Sequence, residues 1–181
     1  MANRIFEDEN HIYQIDFSAA IWATDQLHET FQHNTSSLLS DVDFVAETED
    51  EILLVEYKNA AIPGASNPAA FQPGSQKSRQ KIAFKYYDSW LYLHLFKRGK
   101  PFHYVYILQY PNGDTTSRRL IRNQIAELLP FRLQSLLNIT EPMISAFDVF
   151  SIQEWNNNDT YKVFPISPVA GNPDAENSSI G

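Results

Sequence analysis

Apolar residues in the first third of the chain form two short runs separated by a polar turn. Residues 42–48 and 51–58 are rich in Val, Leu, Ile and Phe, and residues 48–51, where the two runs meet, are three acids and a threonine. Short apolar runs divided by such a turn predict a β-hairpin. The second run, Ile52-Leu53-Leu54-Val55, is apolar on both faces, which is typical of a strand inside a sheet that is covered on both sides.

A helical spacing of apolar residues predicts three helices. The first starts at Asp16 or Ser18 and runs to about residue 33, because its apolar side chains share one stripe. The first residues of 77–97 are basic, and the later ones would place apolar side chains on nearly every side of a helix. We therefore expect a long helix with a buried second half. A third helix, basic at its start, is predicted over 118–129.

Aromatic and β-branched content predicts the remaining strands. These are residues 102–110 and 146–155, with an extended lead-in at 11–15. Residues 59–76 hold three prolines and two glycines and predict a loop. The order of elements predicts an α/β protein with a mixed β-sheet flanked by helices.

The length of 181 residues favours one domain with a substantial core. We expect this domain to span residues 1–157. Residues 158–181 are rich in Asn, Pro, Ser and Gly and are predicted to form a flexible polar tail.

The composition excludes several classes of chemistry and of location. There is no cysteine, which removes disulfides, thiol catalysis and thiolate metal sites. No run approaches the roughly 18 apolar residues of a membrane span, so no membrane partner is expected. The first residues carry acids where a secretory signal has a basic region and an apolar core. We therefore expect a cytoplasmic location.

The net charge of −8 is unevenly distributed along the chain. Residues 77–132 carry eleven basic and three acidic side chains, whereas both flanks are strongly acidic. A basic segment of this kind can bind a polyanion, since phosphate contacts respond to local charge. Alternatively, these side chains are solvated helix faces that balance nearby acids.

The predicted hairpin brings four charged residues together. A turn centred on residues 49–50 places Asp43 opposite Glu56 and Asp41 opposite Lys58, all on one face. Two opposed carboxylates repel each other unless a cation lies between them, and Mg²⁺ binds well to one or two carboxylates with water and phosphate. A nearby lysine can orient a water molecule or stabilise a transition state. Alternatively, this face is solvated and Asp41 and Lys58 form a weak surface ion pair.

Asp43, a short hairpin and then Glu56-Tyr57-Lys58 at the end of an apolar strand resemble the motif of the PD-(D/E)XK nuclease superfamily. The resemblance covers about residues 16–110. It implies a restriction-endonuclease-like fold, whose core has the order αβββαβ. Val42 stands where proline is common in that motif.

The resemblance implies metal-dependent hydrolysis of DNA. Asp43 and Glu56 would bind Mg²⁺ or Mn²⁺, the backbone carbonyl of Tyr57 would add a ligand, and Lys58 would assist the attacking water. Some members supply a further acid from the first helix, but Glu29 lies opposite the apolar stripe, so we do not expect it to take part. By analogy, a nuclease of this size would act as a homodimer or with a partner. The expected DNA contacts are the basic residues at the start of the second helix: Lys77, Arg79, Lys81 and Lys85.

Two other functions are compatible with the same residues. One is a catalytically silent relative that binds nucleic acid or a protein partner. The other is an unrelated α/β interaction protein whose hairpin charges are solvated. The intact set of two acids and a lysine favours the nuclease. Asp43 and Glu56 carboxylates that lie far apart or on opposite faces would exclude it.

Overall fold

The structure is a computed structural model, and it describes residues 4–27, 29, 39–62, 70–95 and 99–172. The strands and helices follow in chain order: β1 (Ile5–Glu7), β2 (Tyr13–Asp16), β3 (Trp22–Thr24), β4 (Phe44–Glu47), β5 (Ile52–Asn59), α1 (Gln76–Leu95), β6 (Phe102–Gln109), α2 (Thr115–Ala126), α3 (Phe131–Leu136), β7 (Ala146–Phe150), α4 (Ile152–Asn157) and β8 (Ile166–Pro168). Leu27 and Glu29 are also helical.

A mixed five-stranded sheet forms the centre of the fold, with strand order β3-β4-β5-β6-β7. Strands β3, β4 and β5 are antiparallel, whereas β5, β6 and β7 run parallel. The parallel pairs require long crossovers, which contain α1 between β5 and β6 and α2 and α3 between β6 and β7. The protein is therefore an α/β protein with a mixed sheet, as its sequence predicts.

Each face of the large sheet buries its own apolar core. Ile52 and Leu54 of β5 pack on the side of α1, in a cluster with Ile82 and Tyr86. Leu53 and Val55 face the other way, into a cluster that the small antiparallel sheet β1-β2-β8 and α4 complete. Because side chains alternate along a strand, β5 must be apolar on both faces. The prediction for this run is confirmed.

The long helix and the strand after it agree with their predicted positions. Helix α1 covers Gln76–Leu95 and β6 covers Phe102–Gln109; residues 96–98 lie outside the described part. Five residues of α1 form its buried side: Ile82, Ala83, Tyr86, Ser89 and Leu93. The Tyr104 hydroxyl of β6 donates to the Ile82 carbonyl at 2.9 Å and ties the helix to the sheet.

The predicted helix over 16–33 is wrong for its first part. Asp16 ends β2 and its carboxylate accepts a hydrogen bond from the Ser18 amide at 2.8 Å, a local turn that competes with helix formation. Residues 22–24 then pair with β4 as strand β3. The apolar residues of the supposed stripe serve two cores, since Phe17 belongs to one cluster and Leu27 to the other. Residues 28 and 30–33 lie outside the described part.

Capping residues account for two further differences from the sequence prediction. The predicted strand 146–155 ends at Phe150, because Ser151 caps α4 and exchanges hydrogen bonds with Glu154 in a capping box. The predicted helix 118–129 begins three residues early, at Thr115, behind the N-cap Asp114. Helix α3 was not predicted.

The prediction of a flexible tail from residue 158 is wrong as far as residue 172. Strand β8 pairs antiparallel with β2. Tyr161, Phe164 and Ile166 are buried in the second core, and the Trp155 indole donates to the Phe164 carbonyl at 2.6 Å. This segment belongs to the domain, and residues 173–181 lie outside the described part.

In the described part of the chain, no helix has the length and apolar character needed to cross a membrane.

Truncation after Asn157 tests the role of the C-terminal segment. The loss of strand β8 and of three large buried side chains, each worth about 1.5–3 kcal/mol, should lower the free energy of unfolding by at least about 4 kcal/mol. Urea denaturation followed by tryptophan fluorescence measures this change. Truncation after Asn172 is the control, because it keeps strand β8 and the three buried side chains, and this protein should be more stable than the one truncated after Asn157 by the same amount. Equal stability of the two truncated proteins would contradict the assignment.

Candidate functional site

The hairpin adopts the register that the sequence predicts. Phe44 pairs with Val55 and Val45 with Leu54, so Asp43 precedes the paired stretch on the same side as Glu56. The Tyr57 backbone amide donates to Asp43 Oδ2 at 2.7 Å. This hydrogen bond fixes the Asp43 carboxylate beside the end of β5.

The Asp43 and Glu56 carboxylates converge on one point, which the ammonium group of Lys85 occupies. Lys85 Nζ lies 2.8 and 2.7 Å from the two Glu56 carboxylate oxygens and 3.3 Å from Asp43 Oδ1. Glu56 is only 5% exposed, and the Lys85 side chain is 14% exposed. An ion triad that is this buried requires direct pairing, because unpaired charges are costly away from water.

Helix α1 also holds the chain that leads to Asp43. Asp88 accepts a hydrogen bond from the Ser40 amide at 2.8 Å, and the Ser89 hydroxyl accepts one from the Val42 amide at 3.0 Å. Asp88 and Ser89 follow Lys85 by three and four positions, so the three side chains share one side of the helix. One helix face therefore positions both the acid and its counter-ion.

The pKa values of all three groups of the triad lie above their usual values. Burial, and then the neighbouring Asp43 charge, raise the pKa of Glu56 well above its usual range despite Lys85. Burial also raises the pKa of Asp43. Burial lowers the pKa of Lys85, but the charges and hydrogen bonds of Glu56 and Asp43 raise it by more, so the pKa lies above its usual value. The ammonium therefore stays charged, and the two carboxylates compete for it.

A cleft of about 510 Å³ opens beside the triad. Asp43, Lys85 and the exposed Lys58 line it, together with Lys81. Further acids reach the cleft from the β1–β2 segment and from two other loops: Glu7, Asp8, Glu9, Asp25 and Asp41. The cleft thus contains basic groups from β5 and α1 and acidic groups from elsewhere.

The other predicted site residues lie in different surroundings. Tyr57 contributes its amide to Asp43, and the proposed ligation by its carbonyl stays a prediction. Lys77 is exposed and Arg79 is half-buried, and neither is among the described residues that line the cleft. Glu29 is exposed and is likewise not among those lining residues.

Lys85 differs from the other expected DNA contacts in its surroundings. Its ammonium is held by two acids, and its contact with DNA stays a prediction. The helical spacing indicates that Lys85 lies on the buried side of α1, since it follows the buried Ile82 by three positions and precedes the buried Ser89 by four. A lysine on the buried side of a helix implies an acidic partner. Asp8, by contrast, had no such signal; its Oδ1 accepts hydrogen bonds from the Ile12 and Tyr13 amides.

The donor chemistry of the pair suits Mg²⁺, which needs only one or two carboxylates in addition to water and substrate oxygens. Over the residues that the structure describes, no three His, Cys, Asp or Glu side chains form a group that could hold a metal. A divalent ion here would rest on Asp43 and Glu56, at the point where Lys85 lies. The residues fit the ion only if Lys85 gives up this position.

Comparison with protein-family models, curated proteins and solved structures gave no match to this chain. Its function is therefore inferred from its own residues and their geometry.

Replacement of Glu56 by Gln tests the electrostatics of the triad. Between the ordinary value of 4.5 and the raised pKa of Glu56, the folded protein keeps a proton that the unfolded chain has released. The stability of the parent protein therefore falls as the pH rises through this window, and the variant lacks this contribution.

As the pH rises above the ordinary value of 4.5, the free energy of unfolding of the parent should decrease relative to that of Glu56→Gln. Urea denaturation of both proteins at several pH values measures the difference. A constant difference, or one that grows in favour of the parent, would contradict the raised pKa.

Proposed function

We propose that this protein is a metal-dependent nuclease that hydrolyses DNA phosphodiester bonds. One observation carries the proposal: the Asp43 and Glu56 carboxylates converge on a single cation position, and the exposed Lys58 lines the cleft beside it. Two acids and a lysine are the groups that the resemblance to PD-(D/E)XK nucleases requires. A solvated hairpin would leave no reason for the acids to converge in a buried site.

The order of the central elements also supports a restriction-endonuclease-like fold. Strands β4 and β5 precede α1 and the parallel strand β6, which agrees with the ββαβ part of that core, and β3 adds a further antiparallel strand beside β4. The order differs from that core in two respects: the helical residues Leu27 and Glu29 lie between β3 and β4, and strands β1 and β2 precede β3. The site lies at the carboxyl end of β5, where α/β sheets commonly bind ligands.

The acids and the lysine have distinct roles in the proposed reaction. Asp43 and Glu56 would hold Mg²⁺ or Mn²⁺, which when bound supplies a Lewis acid and lowers the pKa of its water. Lys58 donates hydrogen bonds from the cleft, where it orients the attacking water and stabilises the negative charge that develops on the phosphoryl oxygens. Tyr57 holds Asp43 in place through its amide.

A stripe of lysines leads along α1 to this site. Lys77, Lys81 and Lys85 are spaced by four residues, so they follow one side of the helix. The acids that line the rest of the cleft repel a phosphate backbone, which leaves the α1 side as the favourable path for DNA. Lys77 and Lys81 are exposed and can contact phosphates along this path.

A catalytically silent relative that binds DNA is the second candidate. The observation that favours it is the ion pair itself, since Lys85 already neutralises the acids that a metal would need. In this case Lys77 and Lys81 bind phosphate, and the triad, with Lys85, has only a structural role. Cleavage separates the two candidates.

Incubation of plasmid and single-stranded DNA with Mg²⁺ or Mn²⁺ tests the nuclease. The parent protein should cleave, and Glu56→Gln and Lys58→Met should each lose roughly 100-fold or more of the rate, because each removes a group that acts on the transition state. Lys162→Met is the matched control, since Lys162 is exposed and pairs with Asp159, and it should cleave normally.

Equal cleavage by the parent and by both site variants would mean that another site or a contaminant is responsible. If the parent binds a labelled oligonucleotide without cleaving it, the silent relative is correct. Fluorescence anisotropy at two salt concentrations measures that binding. A Lys77→Met/Lys81→Met double variant should then bind more weakly and with a smaller dependence on salt.

A further inference from the structure

We propose that Lys85 is a built-in counter-ion that exchanges with a divalent cation, and that the displaced ammonium is then neutralised by a substrate phosphate. Cation binding and nucleic-acid binding would therefore be cooperative. The identity of the anion rests on the proposed function, whereas the exchange itself does not depend on cleavage.

The geometry leaves room for only one cation at the carboxylate pair. Lys85 Nζ contacts both oxygens of Glu56 and one of Asp43 within 3.3 Å. A divalent ion bound to the same oxygens would lie about 2.0–2.1 Å from them if it were Mg²⁺, which places it on the position of the ammonium. Lys85 and the ion therefore exclude each other.

The charges of the triad make this exchange possible but costly. When both acids are ionised, as cation binding requires, two carboxylates and one ammonium leave one excess negative charge, and a divalent ion in place of the ammonium removes that excess. The released ammonium then has no acid partner in its original position, and an uncompensated charge in a partly buried position is unfavourable. In the free protein, this cost weakens the binding of divalent ions.

The released ammonium of Lys85 can move into the cleft. Lys85 itself lines the cleft, its side chain is long and flexible, and Lys81 lies one helical turn away on the same side. A phosphate that binds beside Lys81 gives Lys85 a new anionic partner and removes the cost of its release. By reciprocity, the cation must then increase the affinity for the phosphate by the same factor.

The binding of Mn²⁺ alone, measured by calorimetry, tests the exchange. Lys85→Met removes the competing ammonium, so the variant should bind Mn²⁺ at least roughly tenfold more tightly than the parent, a gain of about 1.4 kcal/mol. The added substitution Asp43→Asn should abolish this gain. Lys162→Met, which removes an exposed lysine that does not line the cleft, should bind like the parent. Equal affinities of the parent and Lys85→Met would overturn the exchange.

A phosphorothioate dT pentamer, chosen because it is anionic and resists hydrolysis, tests the coupling. With the pentamer present, the Mn²⁺ affinity of the parent should rise several-fold, whereas that of Lys85→Met should rise less, because only the direct contact of the ion with the phosphate oxygens remains. An unchanged affinity of the parent, or an equal rise in the variant, would overturn the coupling.

Amine acetylation of the parent, followed by mass spectrometry, tests the exchange even if Lys85→Met does not fold. In EDTA, Lys85 should react slowly relative to Lys162, and saturating Mn²⁺ should accelerate only Lys85. Unchanged protection of Lys85 at saturating Mn²⁺ would overturn the proposal.

The outcomes also separate this inference from the proposed nuclease. Exchange without cleavage leaves the inference intact and excludes the nuclease. Cleavage with equal Mn²⁺ affinities of the parent and Lys85→Met excludes the inference and leaves the nuclease.

Discussion

The burial of two carboxylates beside one ammonium group is the interaction on which the site depends. Asp43 comes just before β4, Glu56 lies on β5 and Lys85 lies on α1, so the ion triad joins three parts of the chain. Neither acid could remain charged in this position without a cation. The docking of α1 onto the sheet supplies that cation, and the hydrogen bonds from the Ser40 and Val42 amides to the same helix hold the segment that leads to Asp43.

The central strand explains why this arrangement lies where it does. Strand β5 packs apolar side chains on both faces for its first four residues and then changes to Glu56-Tyr57-Lys58. The change coincides with the opening of the cleft, so one strand supplies both the core and the site. Lys58 and Glu56 point to the same side of the sheet, yet one is exposed and the other is buried. They can therefore serve different roles, with Glu56 in the triad and Lys58 in the cleft.

The same triad links the two candidate functions. A lysine that neutralises the acids permanently makes a stable, inactive domain, whereas one that exchanges with a divalent ion makes a site whose cation affinity depends on its ligand. The difference between these cases is a free energy of exchange and not a difference in fold. The acids around the cleft and the lysines along α1 bias that balance, because they set the local potential that an arriving ion or phosphate meets.

Much of the hairpin was determined by the sequence alone, because its pattern is local. The acidic turn and the alternation of side chains fix which residues face each other, and so Asp43 and Glu56 were predicted to meet. The spacing of α1 also located a long helix correctly. The apolar stripe over residues 16–33 predicted a helix wrongly, because Phe17 and Leu27 enter cores on opposite faces of the sheet. The C-terminal segment was predicted to be a flexible tail because its composition is polar, although Tyr161 and Phe164 pack in the second core. Only the tertiary structure decided that Lys85, 29 residues from Glu56 along the chain, is the cation between the acids. That choice depends on how α1 packs against β5, which no local pattern specifies.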